Sequence, residues 1–420
     1  MTFWDKLFNN TKASEAGSLI AGFRLNQPVY TSKLNEKRGA YGKEAFASVV
    51  AYRAITSVSD AVSRVPWQLF DKSGSDRTEI EDHEILTLLS RPNPGQSGIQ
   101  FRENWAQQYL LHGEAWQERV MLNMSPEELY IHHADKMAPI PGPFGFPKAY
   151  EFKADDGQKR VWQADPTTGL ADIRLTKKSN PVDHWRGFAP TQAAAISIDQ
   201  LNAGNQWNAA LLQNSGQPSG ALIYDPKEGP GQLTDEQREQ LRSSLDERYT
   251  GPRNAGRPLI LEGGLSWQAF GMGPKEMDWT EGQREAARMI SLAYGVPPQL
   301  LGIPGDNTYS NYREARLAFY DDTVLPILDT MRDEWNHWLL PAFGNENLKL
   351  DYDDDTIEAL DFRREREWDR VKNADFLSID EKRAVVGYDA IGPEGGGDII
   401  EAVERGAGMV NAGIGDQTTD

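Results

Sequence analysis

The sequence predicts an elongated α+β protein in which a small α/β lobe is carried on a pair of helices. Three observations predict it. A long helical stretch over residues 190–215 and a charged one over 279–294 flank a short segment with strand and helix patterns of its own. A polar loop over 303–311 then joins the second helix to another that is rich in aromatic residues. The mean hydropathy of −0.61 is low for one compact globule and fits much polar surface, although 12 tryptophans supply material for a core.

The elements follow in order. Residues 1–44 are polar with scattered apolar positions and read as a loose arm. Val49, Val50, Ile55, Val58, Ala61 and Val62 recur at helical spacing. Val65-Pro66 ends that helix, because proline lacks the N–H and restricts the residue before it. Trp67 to Phe70 then alternates as a strand, with a turn at Asp71 to Gly74. A short helix over 83–90, the breaker Arg91-Pro92-Asn93-Pro94-Gly95 and a helix over 98–112 come next, the last carrying Phe101, Trp105, Tyr109 and Leu110. Gly113 stops it and Ala115 to Val120 reads as a strand. Short strands and turns follow to residue 180, including a hairpin at Asp155-Asp156-Gly157.

The helix over 190–215 would span roughly 39 Å at 1.5 Å per residue. Pro190 suits its first turn and Gly216 its stop. In the lobe, Gly220 to Tyr224 reads as a strand, and Thr234 with Gln237 forms a capping box for a helix to Tyr249. Residues 257–262 and 265–270 read as a hairpin around Gly263-Gly264. Gly295-Val296-Pro297-Pro298 is a hinge, and residues 312–340 form the following helix with Phe319, Tyr320, Trp335 and Trp338 as packing positions. Residues 348–352 read as a strand and 356–373 as a charged helix. A further helix starts at Ser378, with Glu381 three residues on.

Composition limits the chemistry. The formal charge of −19 is the wrong sign for holding nucleic acid, since affinity for duplex comes largely from neutralising phosphates. An acidic wall would instead let a duplex slide. The chain contains no cysteine, so disulfides and thiolate metal sites are excluded. It contains no run of 18 apolar residues, and the N-terminus lacks a secretory signal pattern. Neither a Walker A loop nor a G-x-S-x-G elbow nor a G-x-G-x-x-G turn is present. His132-His133 reads as two strand neighbours facing opposite ways, not as metal ligands. Asp351 and Asp353 to Asp355 read as a solvated strand end running into a helix N-terminus. Arg363, Arg364 and Arg366 with Glu365 and Glu367 read as a salt-bridged helix face. No catalytic set, cofactor or metal is expected.

An ordered series of motifs carries more information than any one of them. SRPNPGQSGIQFRENWAQQYLLHGEAW covers 90–116, GFAPTQAAAISI covers 187–198 and LILEGGLSWQAFG covers 259–271. GVPPQLLG covers 295–302, YSNYREAR covers 309–316 and VLPIL covers 324–328. Together they resemble the HK97-like portal proteins of tailed bacteriophages over roughly residues 45–400, with Ala189 where serine is usual. The resemblance implies a ring, usually of twelve subunits, at the capsid vertex. It also implies a domain plan. A wing over 45–188 is completed by the long helix and return segment over 313–371. Stem helices lie at 189–215 and 279–296, a clip at 216–278, a tunnel-loop region at 297–312 and a crown at 372–420. The implied partners are double-stranded DNA, the terminase large subunit, the major capsid protein and the head–tail adaptor. The tunnel-loop residues facing DNA would be Asp306, Asn307, Thr308, Tyr309, Ser310 and Asn311. The clip face toward terminase and adaptor would be Asp235, Glu236, Arg238, Glu239, Arg242 and Trp267. The implied location is the virion, after assembly in the bacterial cytoplasm. The alternative is another ring-forming virion connector, which would lack the stalked lobe. An acidic hydrolase would need a converging catalytic set, which six dispersed histidines and scattered carboxylates do not supply.

Overall fold

The structure is a computed structural model that describes residues 40–72, 78–123, 125–213, 220–225, 234–249, 265–269, 279–305, 309–344, 347–374 and 376–386. The chain opens with α1 (Ala40–Ala47) and α2 (Val49–Arg64), separated by Ser48, whose hydroxyl accepts from Ala51 N and caps α2. Helix therefore begins before Ala45, where the periodicity places the start of order; the rest of the predicted arm, residues 1–39, lies outside the described residues. Strand β1 (Trp67–Asp71) pairs antiparallel with β2 (Thr78–Ile80) on one side. Helices α3 (Glu84–Ser90) and α4 (Gly98–His112) follow. Ser97 and Gln100 form a reciprocal capping box on α4, and Gly113 ends it at φ +71.

Two antiparallel sheets come next. The first has the order β4-β3-β8, from β3 (Glu114–Leu122), β4 (Ser125–His132) and β8 (Ile173–Lys177). The second has the order β5-β6-β7, from β5 (Met137–Pro141), β6 (Pro147–Lys153) and β7 (Lys159–Gln163). Residues 154–158 close the predicted hairpin between β6 and β7, with Gly157 at φ +83. The first half of β3, Glu114 to Glu118, is buried on both faces. On one, the side chains of Glu114, Trp116 and Glu118 meet the second sheet and its neighbours; on the other, Gln117 accepts from Trp335 Nε1 at 2.8 Å. Gly113 and Gly187 pass backbone to backbone: a Cβ on Gly187 would lie 2.0 Å from the Gly113 carbonyl oxygen.

The predicted long helix divides into α5 (Pro190–Ala193) and α6 (Ala195–Gln213). The break falls at Ala194, whose ψ of −1 departs from helical geometry, and in the first piece the buried Thr191 hydroxyl is tied both to Leu110 O (3.2 Å) and to the Tyr294 hydroxyl (2.7 Å). After the lobe come α8 (Trp279–Ala293), α9 (Tyr309–Phe319), a π-helical turn over Tyr320–Val324 and α10 (Leu325–Trp338). The expected single helix over 312–340 is thus one helical path with a widened turn just before Pro326, whose missing N–H breaks the regular bonding ladder.

Strand β11 (Leu348–Tyr352) returns from far along the sequence to pair antiparallel with β1, Leu69 opposite Leu350, completing a β11-β1-β2 sheet. Asn336 on α10 clasps this edge, donating to Leu350 O at 2.7 Å and accepting from Leu350 N at 2.8 Å. The expected helix over 356–373 starts later, as α11 (Asp361–Lys372), because Ile357 and Leu360 turn into the core through two short 3-10 turns. On α11, Arg364 pairs with Asp361 at 2.8 Å, while Arg363 crosses to Asp321 in the π turn at 3.1 Å. Helix α12 (Ile379–Val385) opens with the capping box read at Ser378 and Glu381. The Gly-rich stretch over 392–398 lies outside the described residues.

The main core is continuous from α2 and α4 through Ile290 and Tyr294 to α10 and β11, with Trp105, Trp335 and Trp338 fully buried. The stripe expectation holds for these three aromatics and for Phe319.

Candidate channel and docking surfaces

The lobe and its two helices form the first candidate surface. Helices α6 and α8 pack against each other, and Gln283 on α8 donates to Asn205 on α6 at 3.3 Å. Ala286, Ala287 and Ile290 face inward on α8, at the i, i+1, i+4 spacing of a helix stripe. At the base of the pair, burial pushes the Tyr294 phenol well above its ordinary pKa, so it stays neutral and bonded to Thr191. The outer face of α8 carries a ladder of Glu281, Arg284, Glu285 and Arg288.

Between the helices, β9 (Gly220–Tyr224) pairs antiparallel with β10 (Leu265–Ala269). The strand predicted over 257–262 lies outside the described residues. Helix α7 (Asp235–Tyr249) has the predicted cap: Gln237 N donates to the Thr234 hydroxyl and Thr234 N to the Gln237 side chain. Asp235, Glu236, Arg238, Glu239 and Arg242 are all exposed on α7, with Arg238 paired to Asp235 at 3.1 Å. Trp267 stands on β10 in register with Leu222, on a different element from these five.

The hinge and loop form the second candidate surface. Gly295 adopts φ +67, and its carbonyl accepts from the Thr323 hydroxyl of the π turn at 2.6 Å. Val296 N donates back to Ser291 O at 3.0 Å, and Pro298–Leu301 forms a 3-10 turn closed by Gly302 at φ +72. Ile303 is buried, with its N–H on Pro298 O, and Arg288 of α8 donates to Pro304 O at 3.2 Å. The near end of the loop is therefore fixed to α8. At the far end Tyr309, Ser310 and Asn311 belong to the first turn of α9, so the loop is shorter than the 303–311 span read from composition. Asp306, Asn307 and Thr308 lie outside the described residues.

Thr323 and Arg288 carry contacts that the sequence reading missed. Glycine and two prolines mark the hinge, but nothing local to Thr323 signals a partner 28 positions away.

Neither candidate metal position gathers ligands. His132 is bonded to Glu118 at 2.8 Å, His133 lies 3.3 Å from the Gln108 amide, and Asp351 pairs with Lys349 at 3.2 Å. Among the described residues no cluster of three histidine or carboxylate side chains could hold an ion, and no helix is long and apolar enough to cross a membrane.

Comparison with known proteins agrees with this architecture. The family model described as phage portal protein matches residues 49–387. The chain is 39% identical over 397 residues to an uncharacterized protein of Rickettsia bellii (strain RML369-C), covering 93% of this chain and 98% of that one. It is 22% identical over 303 residues to the portal protein of Enterobacteria phage HK97, covering 69% of this chain and 66% of that one. A chain from the neck of a native gene transfer agent particle, computed with C12 symmetry, superposes with a TM-score of 0.64 at 36% identity, covering 88% of this chain and 98% of that one. The ordered motifs, the lobe between two packed helices and the matched span lead to one conclusion: this chain belongs to the phage portal protein family.

Proposed function

We propose that this chain is the repeating subunit of a twelve-membered portal ring at a capsid vertex, through which double-stranded DNA enters and leaves. The observation that carries this reading is the likeness to the chain in the C12 neck, at 36% identity over almost the whole of that chain. The role is mechanical, with the subunit guiding DNA while other proteins supply the chemistry.

In this reading α6 and α8 are the stem, and the 216–278 lobe is the clip. The exposed charges of α7 suit a reversible docking face for the terminase large subunit and later for the head–tail adaptor, because exposed charge favours steering over permanent burial. The segment at 306–308, with Tyr309 to Asn311 at the start of α9, is the part that meets DNA. It is flanked by the buried Ile303 on one side and by the start of α9 on the other. The net charge of −19 fits a conduit along which duplex slides rather than sticks. The major capsid protein surrounds the ring in the assembled particle.

The test is to replace residues 306–309 with a Gly/Ser linker. Rings should still form, while DNA packaging and retention fall. Unchanged packaging and retention would sink the assignment of the loop.

A further inference from the structure

Two exposed apolar patches on this chain differ in form, one a groove and one a projecting knob, and in the charge at their rims. The first is a groove of about 500 Å³ between α8, the hinge and the α9–π segment. Met289 and Leu292 line it, at 47% and 75% exposure, together with Val296 and Pro297. Asp322, Glu285 and Arg288 are the charged residues of its lining, two acidic and one basic. Asp322 is exposed and has no ion-pair partner among the described residues; Glu285 lies 3.8 Å from Arg288.

The second patch is a knob at the α1–α2 junction. Phe46 and Tyr52 meet edge to face at 5.5 Å, and Val49 beside them is 76% exposed. Val49, Tyr52 and Arg53 share one face of α2 at i, i+3 and i+4. Lys43 and Arg53 are exposed, and neither is paired with an acidic group among the described residues.

A contiguous exposed apolar patch rimmed by charge marks an interaction site. A cyclic ring joins unlike faces, so each copy must carry two different patches that fit each other. A knob with a cationic rim and a groove whose rim is net acidic, with Asp322 its unpaired charge among the described residues, meet that requirement within one chain. We propose that the knob of Phe46, Val49 and Tyr52 on one subunit seats in the Met289–Leu292 groove of the next copy, with Arg53 and Lys43 against its Asp322 and Glu285. This docking rests on the ring reading above, and it assigns the residues that would close each contact.

The natural chain has no cysteine, so a Val49→Cys, Leu292→Cys double variant reports the contact without background. Mild oxidation should give a ladder of covalent oligomers on a denaturing gel, extending to the closed ring, while each single variant gives none. Only an intramolecular product would place both patches on one flank and overturn the docking; so would no product at all. Native mass of the unoxidised sample separates the two claims. Rings without a ladder overturn the docking and leave the ring reading standing, whereas monomers at every concentration overturn both. In the charge arm, Arg53→Asp should weaken assembly on the order of tenfold, since like charges face each other across a contact. Adding Asp322→Arg should restore most of the loss. Both side chains are exposed, so circular dichroism should be unchanged. No loss, or a loss without rescue, contradicts the pairing.

Discussion

Glu118 shows how one side chain on β3 joins two sheets. Its carboxylate, 4% exposed, takes His132 Nε2 at 2.8 Å, Trp162 Nε1 at 3.2 Å and the Arg160 guanidinium, which also lies 4.5 Å over the Trp162 ring. Burial pushes this carboxyl up, but the His132 hydrogen bond, the Arg160 charge and the Trp162 N–H together outweigh it and hold it below its ordinary range. A depressed folded pKa gives stability that is complete above the unfolded value of about 4.3 and is lost as pH falls through the lower folded value. Glu118→Gln should therefore cost about 2–3 kcal/mol at pH 7, below the usual cost of breaking a buried pair because Arg160 is 60% exposed. The difference from the parent should shrink below pH 4; chemical denaturation at pH 7 and pH 3.5 measures both, and an equal gap at the two values would contradict the account. Gly295 makes a sharper steric case. A Cβ there would sit 2.4 Å from Thr323 Oγ1, in a backbone conformation that L side chains rarely adopt. Gly295→Ala should destabilise the chain by about 1–3 kcal/mol and loosen the hinge. A melting temperature equal to the parent's would show that the hinge is not under that constraint.

At the scale of elements, α10 is the member that binds distant parts of the chain together. Trp335 packs at a tilt against Trp67, ring centroids 4.5 Å apart, and donates to Gln117; Trp338 donates to Ala171 O at 2.8 Å, and Arg174 pairs with Glu334 at 2.6 Å. Trp335→Ala should cost about 3–5 kcal/mol, the range for emptying a buried aromatic site, and would also strip the Gln117 side-chain oxygen of its indole N–H donor. A loss under 1 kcal/mol in urea denaturation would place α10 outside the core. The sequence foretold α10 by its periodicity but not what it touches. Elements with local signals were legible: α4 through Ser97 and Gly113, α7 through Thr234 and Gln237, α12 through Ser378 and Glu381. What failed depended on distant contacts. The 190–215 helix is interrupted at Ala194, beside a first turn that Thr191 ties to Tyr294 and Leu110, and Ile357 delays the 356–373 helix because its side chain is buried in the core. At the candidate site, hinge residues were visible as Gly295, Pro297 and Pro298, whereas Thr323 and Arg288 were invisible because their partners are backbone carbonyls far along the chain.

At the scale of the whole molecule, the family assignment and the acidic charge point the same way. A ring whose subunits each carry −19 should leave duplex DNA unbound at physiological salt, in contrast to proteins that grip phosphates. Gel mobility of a duplex with the purified protein checks this; tight, salt-sensitive binding would contradict the sliding-conduit account. Exposed Ile196, Met289 and Leu292 on α6 and α8 are costly for a chain that works alone and are accounted for if a neighbour covers them. Native mass spectrometry of the purified chain tests the central claim most directly. The account predicts a closed species of twelve times 47.0 kDa with a central opening in negative-stain images. A stable monomer or dimer at every concentration, both alone and in the presence of the capsid protein, would contradict it.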